Sequence, residues 1–261
     1  MCLILVALNQ HERYPLIIAA NRDEFYDRPT RRAGFWSDVP DLVAGRDLKS
    51  GGTWLGMTRG GAWAAVTNYR EPARDESASL RTRGDLVRNY LENRLPAPDY
   101  AVAVEKHADD FAGFSLLLGH LQGATYISNR DPCPRALVNS LFGLSNGALD
   151  EAWPKVERGK HGLQTILCQP RIDTEELFAL LADRTEAAID ELPDTGIGTE
   201  REKLLSPAFI IGSEYGTRSS TVVIVDSDGR ATFVERTFNG PDYQRSAVDR
   251  HFRFKLEPHT R

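Results

Sequence analysis

The distribution of apolar residues predicts paired strands at the beginning of the chain. Residues 2–8 (CLILVAL) and 15–20 (PLIIAA) are short apolar runs that contain β-branched residues, and a polar stretch separates them. This arrangement predicts a β-hairpin. Residues 21–52 are rich in Arg, Asp, Pro and Gly, and we expect a long ordered loop there.

A second hairpin is predicted further along the chain. Gly60 and Gly61 separate the apolar runs 53–58 (TWLGMT) and 62–68 (AWAAVTN). A Gly-Gly pair suits the tight turn between two hairpin strands, because glycine adopts positive φ without a steric cost.

Helices are predicted in the middle of the chain, where apolar residues recur at largely helical spacing. Thr174 is the expected N-cap of the last helix, since Glu175 and Glu176 follow it in the first turn, where the helix dipole favours acids. The predicted helices cover residues 78–95, 99–111, 150–159 and 174–190.

Strands, then helices, then strands is the order of elements along the chain. This order is typical of antiparallel sheets covered by a helical layer, and it differs from alternating βαβ units. We therefore expect an α+β fold, and residues 1–261 should form a single domain because no linker or repeat divides them. The remaining predicted strands are 114–120, 124–130, 208–213, 220–226 and 231–238.

Composition narrows the classes of function. The net charge is −5 with acids and bases interspersed, so there is no basic surface stripe of the kind that binds nucleic acid. No apolar run approaches the roughly 18 residues needed to cross a bilayer. Three cysteines in a chain of this length argue against a disulfide framework, and we expect a cytoplasmic protein.

Common cofactor and metal motifs are missing from the sequence. No two histidines have the i, i+3 or i+4 spacing of a helical metal site, and neither Cys133 nor Cys168 has a nearby Cys or His partner. There is no phosphate-binding loop, no dinucleotide fingerprint and no nucleophilic-serine elbow. Cys133-Pro134 is a weak candidate for a thiolate ligand of haem iron.

Cys2 is the first candidate for chemistry. If Met1 is removed, Cys2 carries a thiol and a free α-amine whose ordinary pKa is roughly 7.7–8.0. A nucleophile and its general base would then belong to one residue, as covalent catalysis requires. The alternative is that Cys2 packs as a small apolar side chain in a strand.

Four polar residues, Asn21-Arg22-Asp23-Glu24, follow the second apolar run directly. Buried polar and charged groups are costly unless they pair with one another or contact a ligand. A thiolate nucleophile needs a nearby cation to lower the thiol pKa, which Arg22 could supply. A carboxylate such as Asp23 could orient the α-ammonium group.

Three more polar residues stand near predicted strand ends. Asn68 and Asn146 have side-chain amides that can stabilise a forming oxyanion, and Arg218 is a second candidate cation. Each also has an ordinary structural interpretation, above all Asn146, because Asn146-Gly147 is a strong turn signal.

The sequence resembles the NRDE family, also called the transport and Golgi organisation 2 family. Ser115 is a departure, since the family more often has Asn there, and we assign it no role. The matching motifs span nearly the whole chain: residues 1–8, 21–25, 28–29, 44–47, 51–56, 67–70, 83–87, 143–146, 153–156, 205–210 and 215–221.

That family in turn resembles N-terminal nucleophile (Ntn) hydrolases, and the resemblance implies a four-layer αββα sandwich of two antiparallel sheets. It implies a linear amide as substrate, with Cys2 as the nucleophile and no required cofactor. The implied catalytic residues are Cys2, Arg22, Asp23, Asn68, Asn146 and Arg218.

The resemblance also implies a second hypothesis, in which the cleft holds a small amphipathic ligand. Family members are linked to haem trafficking and to acyl-coenzyme A and lipid metabolism, so haem is a candidate ligand; no histidine or cysteine is singled out to bind its iron. Aromatic residues could line an apolar cleft or pack in the core: Phe25, Tyr26, Trp36, Trp54, Trp63 and Tyr69. The expected ligand-binding residues are Asn21, Glu24, Arg46, Trp54, Tyr69 and Arg70.

Overall fold

The fold is described from a computed structural model that covers residues 2–72, 80–93, 95–131, 134–240 and 247–257. In chain order, the strands are β1 (Cys2–Leu8), β2 (Leu16–Phe25), β3 (Thr30–Phe35), β4 (Leu42–Asp47), β5 (Leu55–Thr58), β6 (Trp63–Asn68), β7 (Phe114–His120), β8 (Gly123–Ser128), β9 (Arg135–Leu137), β10 (Leu141–Leu144), β11 (Tyr215–Val225), β12 (Arg230–Thr237) and β13 (Val248–Lys255). The helices are α1 (Gly84–Asn93), α2 (Ala97–Glu105), α3 (Pro154–Leu167), α4 (Thr174–Leu181) and α5 (Thr199–Leu204), with short 3₁₀ turns at Ala108–Asp110 and Ile189–Glu191.

Two antiparallel sheets form the centre of the molecule. The first has the strand order β10-β1-β2-β11-β12-β13, and the second runs β3-β4-β5-β6-β7-β8-β9. The predicted hairpins at the start of the chain are therefore confirmed, one in each sheet. No described helix is long and apolar enough to span a membrane.

Three apolar cores separate four layers. Alternate residues of β1 show the arrangement: Ile4 and Val6 pack between the two sheets, whereas Leu3 and Leu5 pack under α3 and α4. A third core joins the outer face of the second sheet to α1 and α2. The order is thus helices, sheet, sheet, helices, which confirms the expected αββα sandwich. The strand β1 is buried on both faces, which explains its continuous apolar sequence.

The loop predicted over residues 21–52 was wrong. β2 continues through the polar residues to Phe25, and β3 and β4 follow. Backbone pairing explains the extension, because β1 pairs with β2 as far as Arg22 and β11 pairs with it as far as Phe25. The hydrophobic pattern of the sequence does not reveal backbone pairing of this kind, since the side chains involved are polar.

The strand predicted over 208–213 was also wrong. Its backbone forms no strand ladder: Phe209 N–H donates to the Asp183 carbonyl, and Ile210 N–H donates to the side chain of Thr217 in β11 through Oγ1. Only an isolated bridge forms, between Ile211 and Gly216. The predictions had no counterpart for the edge strands β9, β10 and β13 or for the helix α5.

Helix boundaries differ from the predictions at several places. α4 ends at Leu181, well before residue 190, and its N-cap is Asp173, which forms a capping box with Glu176. Beyond that end, Asp183 Oδ1 accepts hydrogen bonds from the backbone and hydroxyl of Thr185, which favours a turn.

The other three predicted helices are shifted or shorter. α3 begins at Pro154, later than expected, and continues to Leu167. α2 occupies Ala97–Glu105, and α1 occupies Gly84–Asn93 within the predicted 78–95. Residues 78, 79 and 94 of that prediction lie outside the described residues.

Leu117 tests the core between the sheets, where it is 1% exposed. We expect Leu117→Ala to lower the free energy of unfolding by about 2–5 kcal/mol, because truncation removes apolar contacts and leaves a cavity. Urea unfolding measures the change, and Leu48→Ala is the matched control because Leu48 is 48% exposed. Equal losses for the two variants would contradict the assignment of this core.

Candidate active site

Cys2 lies at the first position of β1, directly opposite Arg22 of β2 in the antiparallel register. Opposed residues of an antiparallel pair project from the same face of a sheet. Cys2 and Arg22 therefore share the face that looks toward the second sheet. Asn21 and Asp23 alternate with them and project toward the helices α3 and α4.

Asn146 connects Cys2 to the second sheet. The backbone N–H of Cys2 donates to Asn146 Oδ1 at 3.2 Å, and Asn146 Nδ2 donates to the Asn68 carbonyl at 2.9 Å. Ser145 adds a hydrogen bond from its hydroxyl to the Cys2 carbonyl at 2.9 Å. The side chain of Asn146 is fully buried, so it does more than form the turn that Asn-Gly suggests.

Asp23 is buried below Cys2 on the helix side of the sheet. Its Oδ1 accepts a hydrogen bond from Thr217 Oγ1 at 2.6 Å, and its carbonyl accepts one from the Tyr215 hydroxyl at 3.0 Å. Burial raises the pKa of Asp23, whereas the nearby Lys155, the Thr217 hydroxyl and Arg22 act in the opposite direction.

The surroundings of Cys2 raise the pKa of its thiol. Burial raises its pKa because the thiolate loses hydration, and the negative charge of Asp23 adds to this effect. The backbone N–H of Asp23 and the guanidinium of Arg22 oppose the shift. A nucleophilic Cys2 therefore needs a base to remove its proton.

Arg22 pairs with Cys2 in the strand register, as expected for a cation beside the thiol. Its guanidinium stacks on Trp54 at 4.3 Å from the ring centroid, and Nη1 donates to Thr30 Oγ1 at 3.3 Å. Glu24 lies 3.8 Å from Nη2. Gly45 makes room for this stack, because a Cβ there would come within 2.3 Å of the Trp54 ring.

Arg218 and Arg46 have other contacts. Arg218 lies at a bulge of β11, and its Nη1 donates to the carbonyls of Phe25 and Arg28 at 2.6 and 3.2 Å. Arg46 forms a bidentate pair with Asp38. Among the described residues no hydrogen bond joins the Arg218 guanidinium, a predicted catalytic group, to Cys2, and the guanidinium of Arg46, a predicted ligand-binding residue, is held by Asp38.

The side chain of Asn21 has a structural role, because its hydrogen bonds hold neighbouring elements together. Its Nδ2 donates to the carbonyls of Leu181 and Ala208, both at 2.8 Å, and its Oδ1 accepts from Ser220 Oγ at 2.6 Å. The side chain is 2% exposed and ties β2 to α4 and β11.

Lys155 is a site residue that the sequence-based assignment missed. It lies in the first turn of α3, is buried, and donates from Nζ to the Leu205 carbonyl at 2.9 Å. Burial lowers its pKa to about 8, while Asp23 and Cys2 oppose the shift. The motif Trp153-Pro154-Lys155-Val156 was a signal for it, but a lysine in an amphipathic helix ordinarily faces solvent.

Arg70 and Glu202 form a second buried pair near Asn146. Arg70 Nη1 contacts Glu202 Oε2, and its Cζ lies 4.6 Å from the centroid of the Trp153 ring. The backbone N–H of Arg70 donates to the Asn146 carbonyl at 2.6 Å. Glu202 was missed because it lies in α5, a helix that has no counterpart among the sequence predictions.

A cavity of about 950 Å³ opens beside this cluster. Asn68, Arg70 and Tyr215 line it, and each is hydrogen-bonded to Asn146 or Asp23. Glu24 and Tyr69, both predicted ligand-binding residues, also line the cavity. The rest of the wall includes both charged and apolar residues: Phe25, Glu71, Pro72, Leu80, Arg83, Asp109, Phe111, Arg130, Ile197, Arg201, Leu204, Leu205 and Glu214.

The aromatic residues divide between the two expected roles. Trp36 and Trp63 are buried in the cores, whereas Phe25 is 54% exposed at the cavity. Cys133 lies outside the described residues. Among the described residues, no group of three or more His, Cys, Asp and Glu side chains could hold a metal ion.

Glu235 lies between the sheets, close to the stack of Arg22 and Trp54. Its Oε1 accepts from the Ala33 N–H at 2.6 Å, and its Oε2 has no hydrogen-bond partner among the described residues. Burial raises its pKa to about 7 from the ordinary 4.5, against the opposing effect of Ala33 N–H, Arg22 and Arg32.

Stability should therefore depend on the charge of Glu235. The folded state binds a proton more tightly than the unfolded state, so Glu235 lowers stability progressively as pH rises from about 4.5 to about 7. We expect Glu235→Gln to gain on the order of 2–3 kcal/mol relative to the original protein between pH 5 and pH 8. Urea unfolding at both pH values measures this, with the exposed Glu157→Gln as control. A gain that does not change with pH would contradict the assignment.

Known proteins resemble this chain over nearly its whole length. A family model described as Transport and Golgi organisation 2 matches residues 1–240. The Transport and Golgi organization protein 2 homolog of Homo sapiens is 34% identical over 263 residues, which cover 93% of this chain and 95% of the relative. The Drosophila melanogaster Transport and Golgi organization protein 2 is 27% identical, with 93% and 94% covered.

Solved structures with a similar fold are much more distant in sequence. An N-acylethanolamine-hydrolyzing acid amidase ortholog of Caenorhabditis elegans has a TM-score of 0.53 at 13% identity, covering 96% of this chain and 100% of that one. The C2A mutant of a conjugated bile acid hydrolase from Clostridium perfringens has a TM-score of 0.50 at 9% identity, with 98% and 97% covered. At these identities the likeness shows the fold alone, which is that of the Ntn hydrolases.

The family model and the human relative together confirm the resemblance that the sequence motifs indicated. The chain belongs to the transport and Golgi organisation 2 family.

Proposed function

We propose that this protein is an N-terminal-nucleophile amidohydrolase that cleaves a linear amide bond of an amphipathic substrate, with Cys2 as the nucleophile. The main support is the hydrogen bond from the Cys2 nitrogen to Asn146 Oδ1, 3.2 Å long, beside a large cavity. On removal of Met1 this nitrogen becomes the α-amine, and the same acceptor remains within reach of it.

The proposed reaction begins with proton transfer from the Cys2 thiol to its own α-amine. The thiolate attacks the amide carbonyl, and a tetrahedral oxyanion forms. Collapse of this intermediate breaks the C–N bond, and the α-ammonium gives its proton to the leaving amine. Water then hydrolyses the thioester, which releases the acid and restores the thiol.

Asn68 and Asn146 have different parts in this proposal. Asn146 Nδ2 already donates to the Asn68 carbonyl, and its Oδ1 accepts from the Cys2 nitrogen, so its main part is to fix that nitrogen. The side chain of Asn68 is exposed at the cavity wall, where its amide can donate to the oxyanion. Asp23 and Lys155 lie below Cys2 as an oppositely charged pair and hold the site electrostatically.

The cavity suggests what kind of substrate the site would take. Its volume suits a molecule of lipid or drug size, and its wall combines apolar residues with arginines and acids. Two proteins of similar fold are described as hydrolysing N-acylethanolamines and conjugated bile acids. These descriptions motivate an amphipathic amide as the first substrate class to test.

We expect Cys2→Ala to abolish amide hydrolysis, because the substitution removes the attacking sulfur while leaving a small residue after Met1. Turnover of N-dodecanoylethanolamine and N-dodecanoylglycine is measured by mass spectrometry of the released acid. Cys168→Ala is the control, since Cys168 is an exposed free thiol at the end of α3.

Intact-mass measurement of the purified protein tests the same proposal independently. Loss of Met1 is expected, because only a free α-amine can act as the base. Quantitative retention of Met1, or full turnover by the Cys2→Ala variant, would exclude Cys2 as an N-terminal nucleophile.

The second candidate function is ligand holding without turnover, and the volume of the cavity is the observation that favours it. Haem and acyl-coenzyme A are the candidate ligands. The described wall contains Tyr69 and Tyr215, and a tyrosine can serve as an axial ligand of haem iron. An unpaired thiol at Cys2 also suits a reducing compartment such as the cytoplasm, which we propose as the location.

Titration with haem distinguishes this candidate. Binding in the cavity would shift the Soret band in both the original protein and Cys2→Ala, and Tyr215→Phe would alter the shift if its oxygen binds the iron. An unchanged Soret band would exclude haem as the ligand. Titration calorimetry with dodecanoyl-coenzyme A tests whether the cavity binds the acyl-thioester instead.

A further inference from the structure

Arg70, which lines the cavity, and Trp153, on which it stacks, have three buried N–H donors without an acceptor among the described residues. Nε and Nη2 of Arg70 and Nε1 of Trp153 have no hydrogen-bond partner among the described residues. Arg70 is 7% exposed and Trp153 is 5% exposed. Each unsatisfied buried donor costs roughly 1–3 kcal/mol, and more when the donor is charged, so such a cluster indicates a missing acceptor.

The position of the Arg70 guanidinium is fixed from three sides. Nη1 contacts Glu202, one face of the group stacks on the Trp153 ring at 4.6 Å, and the backbone is bonded to Asn146. Asn146 in turn accepts from the Cys2 nitrogen. A ligand group on Arg70 would therefore lie at a defined place relative to the thiol.

The free edge of Arg70 has the geometry of an oxyanion receptor. Nε and Nη2 form one side of the guanidinium fork, and their two parallel N–H bonds match two oxygens of a carboxylate or a phosphate. Lys155 supplies a second buried cation close to Arg70, and burial lowers the pKa of both groups. Two desolvated cations are stabilised when an anion joins them.

We infer that the Nε–Nη2 edge of Arg70 binds an oxyanion of the substrate, so that the protein acts on amides carrying a carboxylate or phosphate group as well as an apolar chain. This inference rests on the proposed function, because it names the class of substrate for the site around Cys2. Arg70 is a specificity-determining residue here.

Binding is tested on the Cys2→Ala protein, so that turnover does not enter the measurement. Three probes share one chain and differ in the head group: N-dodecanoylethanolamine is neutral, N-dodecanoylglycine has a carboxylate, and the phosphate ester of N-dodecanoylethanolamine has a phosphate. Titration calorimetry below the micelle concentration is expected to show that at least one anionic probe binds on the order of tenfold more tightly than the neutral one. The carboxylate and phosphate arms identify which oxyanion is preferred.

Arg70→Lys is the main variant, because it keeps a positive charge opposite Glu202 and removes the fork. We expect it to reduce the preference for the anionic probes to about threefold or less while the affinity for the neutral probe stays unchanged. Thermal unfolding verifies that the variant is folded. If Arg70→Lys does not fold, the double variant Arg70→Met with Glu202→Met removes both charges and serves the same purpose.

Equal affinity for all three probes, no binding of either anionic probe, or a preference that persists in a folded Arg70 variant would overturn the inference. The outcomes are separable from those of the proposed function. Hydrolysis by the original protein with no anionic preference would refute the Arg70 assignment alone. An anionic preference without hydrolysis by the original protein would refute the amidase proposal and leave the oxyanion site in place.

Discussion

The hydrogen bonds of the Asn146 side chain are the constraint on which the site depends. One amide joins the first residue of the first sheet to the last residue of β6 in the second sheet. Arg22 with Thr30 and Glu235 with Ala33 also form hydrogen bonds between the sheets. Much of the remaining contact is apolar packing, which has no directional preference. The amide therefore fixes the position of Cys2 relative to the cavity. The thiol and the backbone nitrogen of Cys2 then keep a constant position with respect to the cavity wall.

Charges are concentrated around this bridge at a cost to stability. Asp23, Lys155, Arg70 and Glu202 are all nearly inaccessible to solvent, and each pairs with or lies near a group of opposite charge. Buried ion pairs of this kind contribute little net stability, because desolvation cancels most of the attraction. Their presence in one cluster beside a cavity is the expected consequence of a functional requirement.

The sequence allowed prediction of the fold class and of the central residues, but not of their partners. The apolar runs of β1 and β6 predicted the two hairpins, and Asn68 and Asn146 were singled out because they stand near predicted strand ends. Lys155 was missed despite its motif, since the burial of a lysine on a helix depends on a partner such as the carbonyl of Leu205, fifty positions later in the chain. Family resemblance singled out Arg218, yet the bulge in β11 directs it to the turn after β2.

The alternation of side chains along β2 has a consequence for how this segment can change. The side chains of Asn21 and Asp23 form their contacts on the helix side of the sheet, while those of Arg22 and Glu24 form theirs between the two sheets. Deleting or inserting a single codon upstream within this strand would exchange the two sets, placing an arginine under α4 and an aspartate against Trp54. Substitutions at these four positions can therefore accumulate one at a time, whereas length changes in the strand eliminate both sets of contacts together.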